Sequence, residues 1–352
     1  MEIRSLMTNV AKKQRLLSFD LMKLFAIFFV IWGHCILWFL SSDSSENVIS
    51  RVLNSFHVSL FMMISGFFSA SSMQLKMFDF FCKKIRQLLY PCYIWALLYF
   101  LCLFFINFGD LTKNLTYDKV IVDLYWYSNF WFLKSCFVCY FLLYVGIHLR
   151  LSKRYLYILS LLVSQLIPPF FVSFMFPCFL IGYELKVNIS LRLVVRNHTA
   201  SLLGTFLLLL LFWNKSSWDN SHGISFASIT TIQDVLVIVF YRFYRLMIGI
   251  IGALSFFSIA LSVSNDRLNL KPIPIIGYWG AYTLEIYILQ SVILERFMSH
   301  FLKFDNLDVS LFNYFVSPLF SILILLACII IIKLLSRSHT MMLFLFGRSV
   351  HN

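Results

Sequence analysis

The stretch Phe19-Asp20-Leu-Met-Lys23-Leu-Phe-Ala-Ile-Phe-Phe-Val-Ile-Trp-Gly-His34 opens the first long apolar run of the chain and decides how the rest is read. It carries three ionisable residues in otherwise apolar surroundings: Asp20, Lys23 and His34. On a helix Asp20 and Lys23 lie three apart, share a face and can pair. Lys23 and His34 lie eleven apart, about 20° beyond three full turns, so both face the same way about 16.5 Å apart along the axis. An ionisable side chain at membrane depth is costly and turns toward a polar interior. His34 therefore has two readings: a functional imidazole in a cavity, or a buried histidine bonded to a neighbouring carbonyl.

Working outward, the 352 residues are 60% hydrophobic and 13% charged, with a mean hydropathy of +0.83. Soluble domains run at about 45–50% apolar and about 25% charged, so the chain reads as a polytopic membrane protein. Its net charge of +13 would suggest nucleic acid in a soluble protein. Here the basic residues sit in short connections, which fits membrane topology and excludes a nucleic-acid partner. The eight cysteines are scattered. Cys136 and Cys139 have no second pair or histidine cluster near them in sequence, so they read as packing residues and no metal site is expected.

A bilayer core needs about 20 mostly apolar residues per helix. The expected fold is all-α, with ten spans near residues 20–41, 51–71, 88–109, 129–148, 155–172, 174–186, 199–214, 233–263, 273–298 and 312–335. Segments five and six meet at Pro168-Pro169, where a helix is expected to break. Lys and Arg in the alternate connections divide nineteen to five, which places both termini in the cytoplasm. The chain thus divides into an N-terminal tail 1–19, a membrane domain 20–335 and a C-terminal tail 336–352.

Several further groups are candidates for chemistry. His57 lies in the second span, at a depth matching His34 if the two helices are antiparallel neighbours. Ser65-Gly66 suits close helix approach. Lys83 and Arg86 are three apart just inside the membrane. They read either as topology signals or as a cytoplasmic anion site for a nucleotide phosphate. Arg242 and Arg245 share a face inside the long eighth segment. Either that segment lies partly flat in the interface or the arginines line a polar cavity; the cavity is favoured. Glu285 and Gln290 are polar residues in an apolar ninth helix and are expected to face the bundle interior.

Taken in order, these residues resemble the acyltransferase-3 family of integral membrane O-acyltransferases over nearly the whole chain. Asp20, Lys23 and His34 resemble its opening motif, a basic residue with ten residues between it and a histidine. Phe56, His57, Leu60, Phe61, Ser65 and Gly66 resemble Phe-His-x-Pro-Leu-Phe-x-x-x-Ser-Gly. Lys83, Lys84, Leu88, Leu89 and Pro91 resemble the entry to the third span. Trp131-Phe-Leu and Thr283-Leu-Glu-Ile-Tyr-Ile-Leu-Gln290 are similar to later motifs. The chain departs from the pattern at Lys23, where arginine is frequent, at Ser59, where proline is usual, and at Gln290, where many members have histidine.

The resemblance implies transfer of an acetyl group from acetyl-CoA, a substrate and not a bound cofactor, to a sugar hydroxyl. The acceptor would be a bacterial surface polysaccharide, such as O-antigen or exopolysaccharide, or its lipid-linked precursor at the inner membrane. His34 would be the base, with Lys23 and Asp20 paired beneath it, because Asp20 is too distant on a straight helix to orient the imidazole. Lys83 and Arg86 would hold the donor phosphates. His57, Ser65, Arg242, Arg245, Glu285 and Gln290 would line the acceptor site or cavity. A glycan flippase of the same pathway would carry similar intramembrane charges, but no inverted repeat is visible.

Overall fold

The computed structural model describes residues 17–41, 46–106, 130–166, 171–217, 231–263 and 273–348. Among the described residues the regular structure is helical throughout. In chain order the helices are α1 (Leu17–Phe39), α2 (Val48–Phe67), α3 (Met77–Lys84), α4 (Tyr90–Ile106) and α5 (Trp131–His148). Then come α6 (Lys153–Leu166), α7 (Val172–Val187), α8 (Ile189–Asn197), α9 (Thr199–Leu211) and α10 (Ile232–Ser262). The last are α11 (Ile273–Trp279), α12 (Thr283–Gln290), α13 (Val309–Leu335) and α14 (His339–Phe346).

Local signals set several boundaries. Asn47 caps α2 by accepting from Ser50 N, and Thr231 with Asp234 forms a reciprocal capping box at α10. Among the described residues three π turns interrupt the helices, at Ile85–Leu89, Ser291–Phe297 and Phe312–Val316. A π turn accommodates one extra residue per turn and so rotates the side chains on either side of it relative to a regular helix.

Each of the ten expected segments overlies a helical stretch. By length and apolar character, however, five described helices could cross a membrane: α1, α2, α5, α10 and α13. The bent pair α8 and α9, meeting at 69°, brings the number to six if it counts as one span. The ten-span expectation is larger than this count, which covers the described residues only. Helix α7 has 16 residues, and α4 and α6 run up to the edge of the described residues at Ile106 and Leu166. The ninth segment is broken by a 3-10 turn at Gly280–Tyr282 and a π turn at Ser291–Phe297. The break expected at Pro168-Pro169 lies outside the described residues.

Helix α2 forms the centre of the bundle, packed on α1, α7 and α10. A Cβ at Gly66 would overlap the Phe179 carbonyl of α7, so glycine is what lets these two backbones touch. Without a hydrophobic drive between helices in lipid, such close packing is a main source of association. Phe19 of α1 stacks on Phe67 of α2 at 4.7 Å, and Phe56 stacks on Phe256 of α10 at 4.8 Å. Each such pair contributes about 0.5–1.5 kcal/mol beyond area burial. Polar bonds tie the other side of α1 to α13: Trp32 Nε1 donates to Ser317 Oγ at 2.8 Å. Asn47 Nδ2 donates to Asn313 Oδ1 at 2.8 Å, also on the α13 side.

Candidate active site

Between α1, α2, α5 and α12 lies a cavity of about 540 Å³. That volume is within the usual range for small-molecule sites. Helix α1 marks its length: His34 lines one end and Lys23, three turns earlier, the other. Helix α2 runs alongside in the opposite sense. His57 lies within electrostatic reach of His34, while Phe68, just beyond α2, sits 4.2 Å beneath the Lys23 ammonium. The wall between is apolar and aromatic, including Phe61, Trp131, Phe132 and Tyr287.

At the histidine end, His34 Nδ1 lies 2.9 Å from Glu295 Oε1. The approach is close but off the line of a hydrogen bond, so its hold on the ring is mainly electrostatic. Glu295 is buried and belongs to the π turn Ser291–Phe297. A carboxylate beside Nδ1 favours the tautomer protonated there and leaves the Nε2 lone pair to accept a proton. His57 is built otherwise. Its Nδ1 donates to the Leu53 carbonyl at 2.6 Å, one turn earlier in its own helix. Among the described residues no acidic side chain lies within bonding distance of it, so it is suited to hydrogen bonding.

The other end is cationic. Lys84 is buried with its ammonium 3.5 Å over the Tyr140 ring, and Tyr140 donates to the Ser65 carbonyl at 3.2 Å. Burial pushes the Lys84 ammonium down to about 7. Arg86, in the first π turn, and Arg348, after α14, line the same mouth with Lys23. Two carboxylates partly balance them: Asp20 lies 3.4 Å from Lys23 Nζ, and Glu285 Oε1 accepts from Arg348 Nη1 at 2.8 Å.

Of the residues singled out from sequence, Lys23, His34, His57, Ser65, Arg86 and Glu285 line this one cavity, with Asp20 paired to Lys23. Lys83 does not line it. It is exposed, and its neighbour Lys84 takes the inward position. The π turn at Ile85–Leu89 lies between Lys83 and the following helix, so the regular three-residue relation expected between Lys83 and Arg86 does not hold there. Arg242 and Arg245 also lie outside the lining. Helix α10 packs on the far side of α2, where the Arg245 guanidinium sits 4.8 Å over the Phe174 ring. Arg245 still acts on His57 through space. Gln290 is fully buried and turned away, its Nε2 donating to Tyr287 O at 3.2 Å.

Three contributors were not assigned to the site from sequence: Glu295, Arg348, and Lys84, which was read only as part of the motif before the third span. Glu295 had a signal, since it is an acidic residue near the end of an apolar segment already holding Glu285. Lys84 was hidden by the helical spacing of its neighbours. Arg348 follows the last helix, far in sequence from every other cavity residue. Cys136 and Cys139 are buried free thiols packed in the bundle.

A histidine beside a buried carboxylate at one end of a cavity between the helices, and a cluster of cations at the other, mark a polar site inside the helical bundle. The family model described as the acyltransferase domain, Acyl_transf_3, matches residues 16–337, and the chain belongs to this acyltransferase-3 family. The protein is a membrane acyltransferase. Comparisons with curated proteins and with solved structures give no match.

Proposed function

We propose that the protein moves an acetyl group from acetyl-CoA to a sugar hydroxyl of a bacterial surface polysaccharide, O-antigen or exopolysaccharide, or of its lipid-linked precursor. The observation that carries this reading is the pairing of His34 with Glu295 in a cavity whose other end gathers cations. A sugar hydroxyl is a weak nucleophile near neutral pH. His34 Nε2 takes its proton as the oxygen attacks the thioester carbonyl. The C–S bond then breaks, the coenzyme A thiolate leaves, and it recovers the proton from the imidazolium. Glu295 stabilises that imidazolium through its negative charge beside Nδ1. The product is a sugar ester and free coenzyme A.

Lys23, Lys84 and Arg86 hold the donor phosphates, and the aromatic wall guides the pantetheine arm toward His34. His57 positions the acceptor. With ten spans, both termini in the cytoplasm and the protein in the inner membrane, the cationic mouth meets cytoplasmic acetyl-CoA. The test supplies labelled acetyl-CoA to membranes containing the full chain and the glycan acceptor. Label should enter the glycan as an ester that mild base removes. Label that never reaches glycan, with the protein present at normal level, would overturn the reading.

A further inference from the structure

The segment beyond residue 337 lies outside the family match, yet it reaches the cavity. Helix α14 is fixed in place. Ser338 Oγ caps it by accepting from Met341 N at 3.3 Å, and Met342 and Phe346 are buried. Trp95 Nε1 of α4 donates to the Leu345 carbonyl at 3.0 Å. Gly347 then turns the chain at φ +61°, the left-handed region that favours glycine. The turn is flush against the π turn before α4, because a Cβ at Gly347 would overlap the Arg86 carbonyl. Arg348 is thereby delivered to the mouth of the cavity beside Arg86.

We propose that Arg348 is a donor-binding residue: a guanidinium brought by the C-terminal helix to the cationic mouth, where it binds a phosphate of the acyl carrier. This rests on the acetyl-CoA reading above. The Arg348 Nη1 donates to both Ala281 O at 3.0 Å and Glu285 Oε1 at 2.8 Å. These two bonds hold the side chain while Nη2 and Nε bond to no described residue. A planar fork with donors to spare suits a phosphate, which a guanidinium can bind through two parallel bonds. Arg348 also masks Glu285, whose buried carboxylate would otherwise repel the anion. Its Oε2 has no hydrogen-bond partner among the described residues.

These roles make the two members of the pair unequal. If the Arg348–Glu285 contact only held the helix in place, removing either partner would have the same effect. If Arg348 binds phosphate, removing Glu285 frees the guanidinium and removing Arg348 loses it. The experiment titrates acetyl-CoA at saturating acceptor in membranes containing the full chain. Arg348→Gln should raise the donor KM about tenfold, the loss of one charge-assisted contact, with the effect on KM rather than kcat. Arg348→Lys, which keeps the charge without the fork, should fall between. Glu285→Gln should not raise the donor KM. An unchanged KM in Arg348→Gln, or equal rises in both variants of the pair, would overturn the inference. Lys84→Met is measured alongside. If it raises the donor KM and Arg348→Gln does not, this inference alone falls. If neither does, the cationic-mouth reading falls with it.

Discussion

At the histidine end of the cavity two side chains face one another, His34 from α1 and Glu295 from the π turn after α12. At the mouth four cations converge from α1, α3, the π turn after α3 and the segment after α14. The first end concentrates its chemistry in one contact between two buried helical elements. The second distributes charge over four points of the chain and balances it with Asp20 and Glu285. Proton transfer needs one base at one position, whereas holding an extended polyanion needs several modest contacts. Loss should therefore be near-complete at one end and graded at the other.

The largest effect is expected at His34. His34→Ala should lower acetylation by about 10²–10⁴-fold, the usual contribution of a general base. Glycan ester measured by NMR, with protein level followed by immunoblot, checks it. Near-normal ester would move the base to His57 and dissolve the contrast between the two ends.

Glu295→Gln keeps the shape of the side chain and removes its charge. It should lower kcat by about 10–10²-fold, or roughly 1.4–2.7 kcal/mol of transition-state stabilisation, while leaving the donor KM in place. Steady-state kinetics in membranes separates the two parameters. A change confined to donor KM would mean that Glu295 serves the mouth rather than the base.

Lys84 gives the sharpest pH test of the cationic end. Burial brings its ammonium down to about 7, so the free enzyme carries this charge below that pH and loses it as pH rises through it. The donor KM should accordingly increase several-fold from pH 6 to pH 8. Lys84→Arg should flatten the rise, since a guanidinium stays charged throughout. A pH dependence identical in the two proteins would remove Lys84 from the donor site.

The smallest effect belongs to Lys83. It is exposed and outside the cavity, so Lys83→Ala should change the donor KM by less than about twofold. That change is worth under ~0.4 kcal/mol, since tenfold corresponds to about 1.4 kcal/mol. A loss matching that of Lys84→Met would mean that both lysines reach the donor, and that the π turn does not select between them.

Much of the site was legible in α1 alone. The placing of Lys23 and His34 on one face follows from helical periodicity, and the Asp20–Lys23 pair from a spacing of three. The positions of His57 and Ser65 on α2 followed in the same way, because α2 is regular through both. The reading failed where helices are not regular. Lys84 rather than Lys83 turns inward just before a π turn, and Glu295 meets His34 from within another π turn. Neither interruption has a composition signal comparable to a proline or a glycine pair. Arg242 and Arg245 were placed correctly on one helix, but which side of α2 that helix would cover was not a local property.

The sequence by itself determined an all-helical membrane protein, the helical segments and the two groups of α1 that mark the ends of the cavity. Hydropathy and a period of 3.6 residues are local, and the bilayer makes them nearly obligatory by requiring every backbone group to be bonded within the segment. Only the tertiary structure decided which carboxylate faces His34, which lysine turns inward and that Arg348 returns to a mouth begun more than 300 residues earlier at Lys23. Those outcomes depend on helix rotation and contact, set by close packing at Gly66 and by the backbone turn at Gly347. Such packing couples residues with no fixed separation along the chain.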